Sequence, residues 1–182
     1  MANTLFNNVW SLDTIGIVSE TPVWVKGIMY YPNAVDGEFT LKSWDTNSTT
    51  LNSGVITYTI TTSTDDTITA SGGTPLPSTW LDGNIIKCLS TTGSDTGVSG
   101  LIKTAGNNTV VVVHYSPFTT EAAKVGSFAC YPSYTAFKGK ASKAADTETS
   151  MWFPFPGERG FEFRNLALDD LDTSDVIILY LG

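Results

Sequence analysis

Basic charge is scarce in this sequence. Ten lysines and arginines are spread over 182 residues against eighteen aspartates and glutamates, giving a net charge of −8. A nucleic-acid binder needs clustered Lys and Arg to displace counterions from phosphates. The densest basic group, Lys138, Lys140 and Lys143, is followed closely by Asp146 and Glu148, so no direct nucleic-acid contact is expected. Histidine occurs once, at His114, and cysteine twice, at Cys88 and Cys130. No CxxC pair or metal-ligand spacing joins the cysteines, and two reduced, buried thiols are the simplest reading, with a disulfide the alternative. No apolar run approaches the roughly 20 residues that cross a bilayer. The opening Met1-Ala2-Asn3-Thr4-Leu5-Phe6 has no basic or apolar leader region. The expectation is synthesis in the cytoplasm without an export signal or a membrane partner.

Helical patterning is almost missing as well. The best window is Phe118 to Val125, where Thr119 or Thr120 would cap a turn through Glu121, Ala122, Ala123 and Lys124. Strand signals fill the rest. Val23 to Tyr31 is rich in β-branched and aromatic residues and ends at the turn-opening Pro32-Asn33. Glu38 to Ser43 and Val55 to Ile60 alternate apolar and polar residues. Asn84 to Leu89 follows an Asp82-Gly83 turn. Val110 to Tyr115 is a continuous apolar run, which predicts a strand buried on both faces. Met151 to Phe155, Phe161 to Leu166 and Val176 to Leu181 complete the set. Many short strands at this spacing point to an all-β sandwich or barrel. Only 15% of residues are charged, against about 25% in a typical soluble domain. Thr, Ser, Asn and Gly carry the polarity instead, which suits strands joined by tight turns.

Polar stretches at 47–53, 63–78 and 141–150 read as joints. They predict a discontinuous sandwich from residues 19–54 and 127–182, an inserted unit at 55–126 and an N-terminal arm at 1–18. No cofactor or metal site is expected. His114 has no GxSxG serine to serve, and reads as a half-buried, hydrogen-bonded residue at a strand end. The cluster Asp169, Asp170, Asp172 and Asp175 lacks the EF-hand spacing, and reads as a solvated loop before the last strand. Asp36 and Glu38 read as hairpin polarity. Among the tryptophans, Trp24 and Trp152 lie in strongly apolar strands and are expected in the core. Trp10 and Trp44 are expected to be partly exposed.

Two sets of segments resemble bacteriophage virion proteins. Val23-Trp24-Val25-Lys26-Gly27-Ile28, a Gly-containing hairpin and Phe39-Thr40-Leu41-Lys42 look like the opening of small phage head proteins. Their complement is 146–156, through Met151-Trp152-Phe153-Pro154-Phe155-Pro156, followed by Val176-Ile177-Ile178-Leu179-Tyr180. In shorter relatives these pieces are nearly adjacent and form one β-sandwich. Between them, 66–73, 80–87, 106–110 and 118–123 look like a small β-barrel module of phage head and tail proteins. Ser94-Asp95-Thr96-Gly97 stands where relatives often carry an Asn-Asp-Gly type turn. Together the resemblances cover about two thirds of the chain. They imply an all-β fold: a jelly-roll-like β-sandwich built from both chain ends, with an inserted small β-barrel. They further imply a non-enzymatic head decoration (cement) protein on the capsid surface, with the major capsid protein as partner. Family habit adds a homo-oligomer, most often a trimer. On that reading, Leu5, Phe6, Val9 and Trp10 of the arm, with Trp152, Phe153 and Phe155, fill pockets on neighbouring subunits. The alternative is a host- or glycan-binding module of a head fibre or tail, using exposed tryptophans as a sugar-stacking platform.

Overall fold

The computed structural model describes residues 3–6, 8–33, 35–48, 51–71, 75–105, 109–114, 117–140 and 150–182, without the side chains of Thr4 and Phe6. Lys143, Asp146, Glu148 and nearly all of the 141–150 joint lie outside the described residues, as do Gly72, Gly73, Asn107, Asn108 and Tyr115.

Described elements are all strands: β1 Thr4–Phe6, β2 Val9–Leu12, β3 Gly16–Ser19, β4 Val23–Tyr31, β5 Glu38–Trp44, β6 Leu51–Asn52, β7 Ile56–Thr61, β8 Asp66–Ser71, β9 Ile85–Thr91, β10 Ser99–Ala105, β11 Val110–Val113, β12 Glu121–Tyr131, β13 Ser133–Lys140, β14 Met151–Pro154, β15 Phe161–Phe163, β16 Leu166–Leu171 and β17 Val176–Leu181. The all-β class expected from alternation and turn chemistry is what the chain adopts. No helix is present among the described residues. The window Phe118 to Val125 opens β12 instead. Glu121 pairs with Ile60 and Lys124 with Tyr58, with a register shift between them, and Ala123 sits at φ 50° in that irregularity. Cross-strand pairing and a bulge override the local helical composition here.

The chain divides into two compact units, Met1–Ser43 with Tyr134–Gly182, and Trp44–Ser133. The boundaries differ from 55 and 126 because the second unit's pairing reaches further. β6 bonds to the far end of β12, Leu51 opposite Cys130. β12 itself runs on to Tyr131 against Ile85 of β9.

In the first unit one sheet has the order β1-β2-β17-β4-β14, with β15 also on β4, and the other β13-β5-β16-β3. Between them lies a core of Leu12, Val25, Ile28, Tyr30, Ile177 and Leu179 from the first sheet and Phe39, Leu41, Leu166 and Leu168 from the second. Burying a side chain of this size is worth roughly 1.5–3 kcal/mol. Residues 4–19 are no separate arm. β2 is hydrogen-bonded along β17, with Trp10 opposite Leu179, and β3 along β16.

In the second unit the order β12-β7-β8-β11-β10-β9 returns to β12, which closes a six-stranded barrel. Closure leaves no free edge on those strands. Its core centres on Phe128, with the rings of Tyr58 and Phe118 at 5.0 and 6.5 Å. β11 is buried on alternate residues only. As a barrel wall it has one face toward the core, so the expected two-sided burial does not occur.

Candidate interaction surface

Alternation along β4 decides which side chains leave the sandwich. Val23, Val25, Ile28 and Tyr30 point into the core, while Trp24, Lys26 and Tyr31 are exposed and Met29 is half-exposed. The step in parity lies at Lys26, where the register against β17 passes from Gly27–Tyr180 to Val25–Leu181. A bulge of this kind keeps the residues on either side facing their proper layers. On β17 the outward residues are Val176, Ile178 and Tyr180, and on β14 Trp152 and Pro154. Register sets them in rows. Trp152 lies opposite Met29, Met29 opposite Ile178, and Ile178 opposite Ser11. The next row runs Pro154, Gly27, Tyr180, Val9.

Trp152, on the edge strand β14, leans inward over this face. Its indole covers Gly27 so closely that a Cβ there would lie 2.2 Å from the ring. Tyr180 meets it edge-on, with ring centroids 5.2 Å apart at 82°. The indole is nonetheless 46% exposed, and Trp24, Tyr31 and Tyr180 are 36–42% exposed. The missing side chain of Gly27 makes room for the indole and Tyr180 packs against it at a steep angle, while nearly half of Trp152 stays exposed.

The sequence-based expectations separate at this face. Trp152 and Trp24, expected in the core, point outward, because they alternate with Val23, Val25 and Phe153. Trp44, expected at the surface, is 2% exposed. Trp10 is half-buried against the sandwich core. With Leu5, Leu12 and Val18 it lines a cavity of about 120 Å³. Leu5, opposite Trp10 on the edge strand β1, is 55% exposed, and the Phe6 side chain lies outside the described set. Val9 is half-exposed on the outer face. Phe153 and Phe155 are half-buried among the aromatic side chains of their own unit. Phe153 packs 5.4 Å from Phe137 and 5.9 Å from Phe39, and Phe155 5.4 Å from Phe137 and 5.6 Å from Phe161. Met29, Tyr31, Val176, Ile178 and Tyr180 were legible as strand residues, but their outward direction depends on the Lys26 bulge and on strand order.

Carboxylates concentrate elsewhere, and the buried ones serve backbone. Asp175, 1% exposed, accepts the Tyr30 hydroxyl and the Asn33 N–H, the latter at 2.6 Å. Asp172 accepts the Glu38 N–H at 3.1 Å, and 169–171 belong to β16, so of the acidic run expected as a solvated loop only the turn at Thr173 and Ser174 is exposed. Burial, followed by the Asp175 hydrogen bond, pushes the Tyr30 hydroxyl well above the usual phenol range. Asp170 is raised by desolvation, then by Glu38 and Asp172, with Lys138 opposing. In the barrel, Glu121 accepts the Ser94 N–H and, at 3.0 Å, the Ser94 hydroxyl. A Cβ on Gly93 would lie 2.0 Å from that carboxylate. Asp95 accepts the Thr119 N–H with both oxygens at 3.1 Å, and Asp66 the Phe118 N–H at 2.9 Å. Phe118, Thr119 and Glu121 are thereby fixed to the strands around them.

Remaining candidates are accounted for by local packing. His114 is half-buried after β11, its Nδ1 4.0 Å from Asp65, which Lys103 also contacts at 2.6 Å. Cys88 and Cys130 are free and buried. Burial pushes their thiols up to about 11 and about 12. Among the described residues no group of three His, Cys, Asp or Glu side chains is placed to hold a metal ion. No described helix is long and apolar enough to cross a membrane. A second cleft of about 370 Å³, lined by Trp10, Trp24, Asn8, Ser19 and Thr21, opens beside the outer face. No protein-family model matches the chain, and no curated protein matches it significantly.

Proposed function

We propose that the chain is a non-enzymatic structural protein of a phage virion, a decoration (cement) protein that binds the outer surface of the head. The observation that carries this reading is where its large groups go. Buried carboxylates are spent on backbone N–H groups, while the sandwich turns a row of tryptophan, tyrosine and aliphatic side chains outward. An exposed apolar patch of this kind marks a contact surface. The order of the strand motifs, similar to phage head proteins at both ends and to a phage barrel module between them, supports the virion assignment. The acidic surface keeps free copies soluble, and repeated contacts over a shell lattice raise the apparent affinity of each.

The test is co-sedimentation with purified heads that lack the protein. Saturable binding, with heads then more resistant to heat or chelator, is the expected result. A chain that stays in the supernatant at every concentration would sink the assignment. A second reading, a glycan-binding module, draws on the half-exposed Trp152 indole that lies over Gly27. Its signature is saturable quenching of tryptophan fluorescence by a polysaccharide.

A further inference from the structure

We infer that the outer face of the first sheet is the surface through which two copies of this chain pair. The inference draws on the same outward face that carries the virion reading, and assigns it a second copy of the chain as occupant. Size is the first argument. Trp24, Tyr31, Trp152 and Tyr180 expose between 36% and 46% of their surface, roughly 350 Å² in all for side chains of this class. Val9, Met29, Val176 and Ile178 adjoin them in the same rows. They extend the patch toward the roughly 800 Å² that each partner contributes to a standard interface.

Charge is the second argument, and it selects the occupant. Each copy carries a net charge of −8, so like copies repel unless they meet where carboxylates are few. The outer positions of β2, β4, β14, β15 and β17 include only two charged residues, Lys26 and Glu162. Both are exposed, and Glu162 stands opposite Trp24, two residues from Lys26 along β4. One positive and one negative group on an apolar face is a self-complementary set. In a two-fold pairing, Lys26 of one copy faces Glu162 of the other, and the reverse contact follows from symmetry. Sheets stacked face to face lie about 10 Å apart, with their side chains interdigitated. Trp152, the most exposed of the four aromatic side chains on this face, is the one proposed to anchor such a stack.

The pairing predicts a dimer, or an assembly with an even number of copies. The experiment is sedimentation velocity of the full chain across a concentration series. Wild-type protein should sediment as an even-numbered oligomer, and Trp152→Glu as a monomer with an unchanged far-UV spectrum. Lys26→Glu sets like charges together at two symmetric places, and should raise the dissociation constant about fivefold or more. Adding Glu162→Lys to that variant should restore the affinity, which a merely misfolded chain would not do. Leu81→Glu, at an exposed position of the barrel unit, should leave the mass unchanged. A wild-type monomer or trimer, an unchanged mass in Trp152→Glu, or a charge swap without rescue would each overturn the pairing. So would a monomer whose Trp152 fluorescence is quenched by a neutral polysaccharide. Head binding, measured separately, can fail while the pairing stands, and the reverse.

Discussion

In the barrel unit the sheet closes on itself, with β12 meeting β9. In the sandwich unit two sheets stay open, ending at β1 and β14 in one and at β13 and β3 in the other. Both units are built from strands of similar length, and both bury carboxylates against backbone. They part at the surface. The exposed apolar residues of the barrel unit, Val55, Leu81, Leu89 and Val125, come from four separate stretches of chain. In the sandwich, Trp24, Tyr31, Trp152 and Tyr180 are brought by strand order onto one face, while Leu5, Val35, Tyr134 and Phe161 are exposed elsewhere. Closure leaves the barrel strands no free edge, whereas the sandwich sheets keep edge strands and one of them carries an apolar outer face.

The largest expected effect tests whether the two cores are independent. Phe128→Ala in the barrel and Phe39→Ala in the sandwich should each cost about 3–5 kcal/mol. Hydrogen exchange should show the loss in peptides of the substituted unit alone. Equal loss of protection in both units would mean that they unfold as one.

Next in size are the buried carboxylates. Glu121→Ala releases the Ser94 N–H, and Asp175→Ala the Asn33 N–H and the Tyr30 hydroxyl. A buried donor left unsatisfied, as the Tyr30 hydroxyl would be, costs about 1–3 kcal/mol, and the Ser94 and Asn33 N–H groups, on exposed residues, add less. Urea unfolding should find Glu121→Ala weakening the barrel and Asp175→Ala the sandwich. A loss below half a kcal/mol in either would show that its network is solvated.

The smallest effect is a pH dependence confined to the sandwich. Asp170 titrates above the ordinary carboxyl range in the folded state, through desolvation and the nearby Glu38 and Asp172. Its neutral form therefore favours folding. The contribution is fully present below the unfolded value of about 3.9 and is lost as pH rises through the folded value. Asp170→Asn should thus stabilise the sandwich near neutral pH and change little in acid. A variant that is less stable at pH 7 than the parent would contradict this.

Strand content was readable because turn residues and period-2 alternation are local properties. Val23–Tyr31 and Val176–Leu181 were read with the same bounds that they have in the fold. Direction was harder. Alternation says that Trp24 and Val25 face opposite ways without saying which way is inward, and tryptophan's burial preference chose the wrong side. The acidic run 169–175 looked solvated because its partners, Tyr30, Asn33 and Glu38, are over 130 residues away in sequence. The helix-like stretch at 119–124 failed for the same reason, since its strand partner β7 is distant.

The sandwich strands that precede and follow the barrel unit, β5 and β13, are neighbours in one sheet. An ordinary hairpin turn would join such strands, and here the place of that turn is taken by residues 44–133. For a flexible loop, lengthening costs about 0.6 kcal/mol per doubling, and a segment that folds into its own closed barrel avoids most of the disorder behind that cost. During synthesis the barrel emerges whole before the C-terminal sandwich strands leave the ribosome. The junction is thus a place where chain can be added while the host sandwich keeps its strand order on either side.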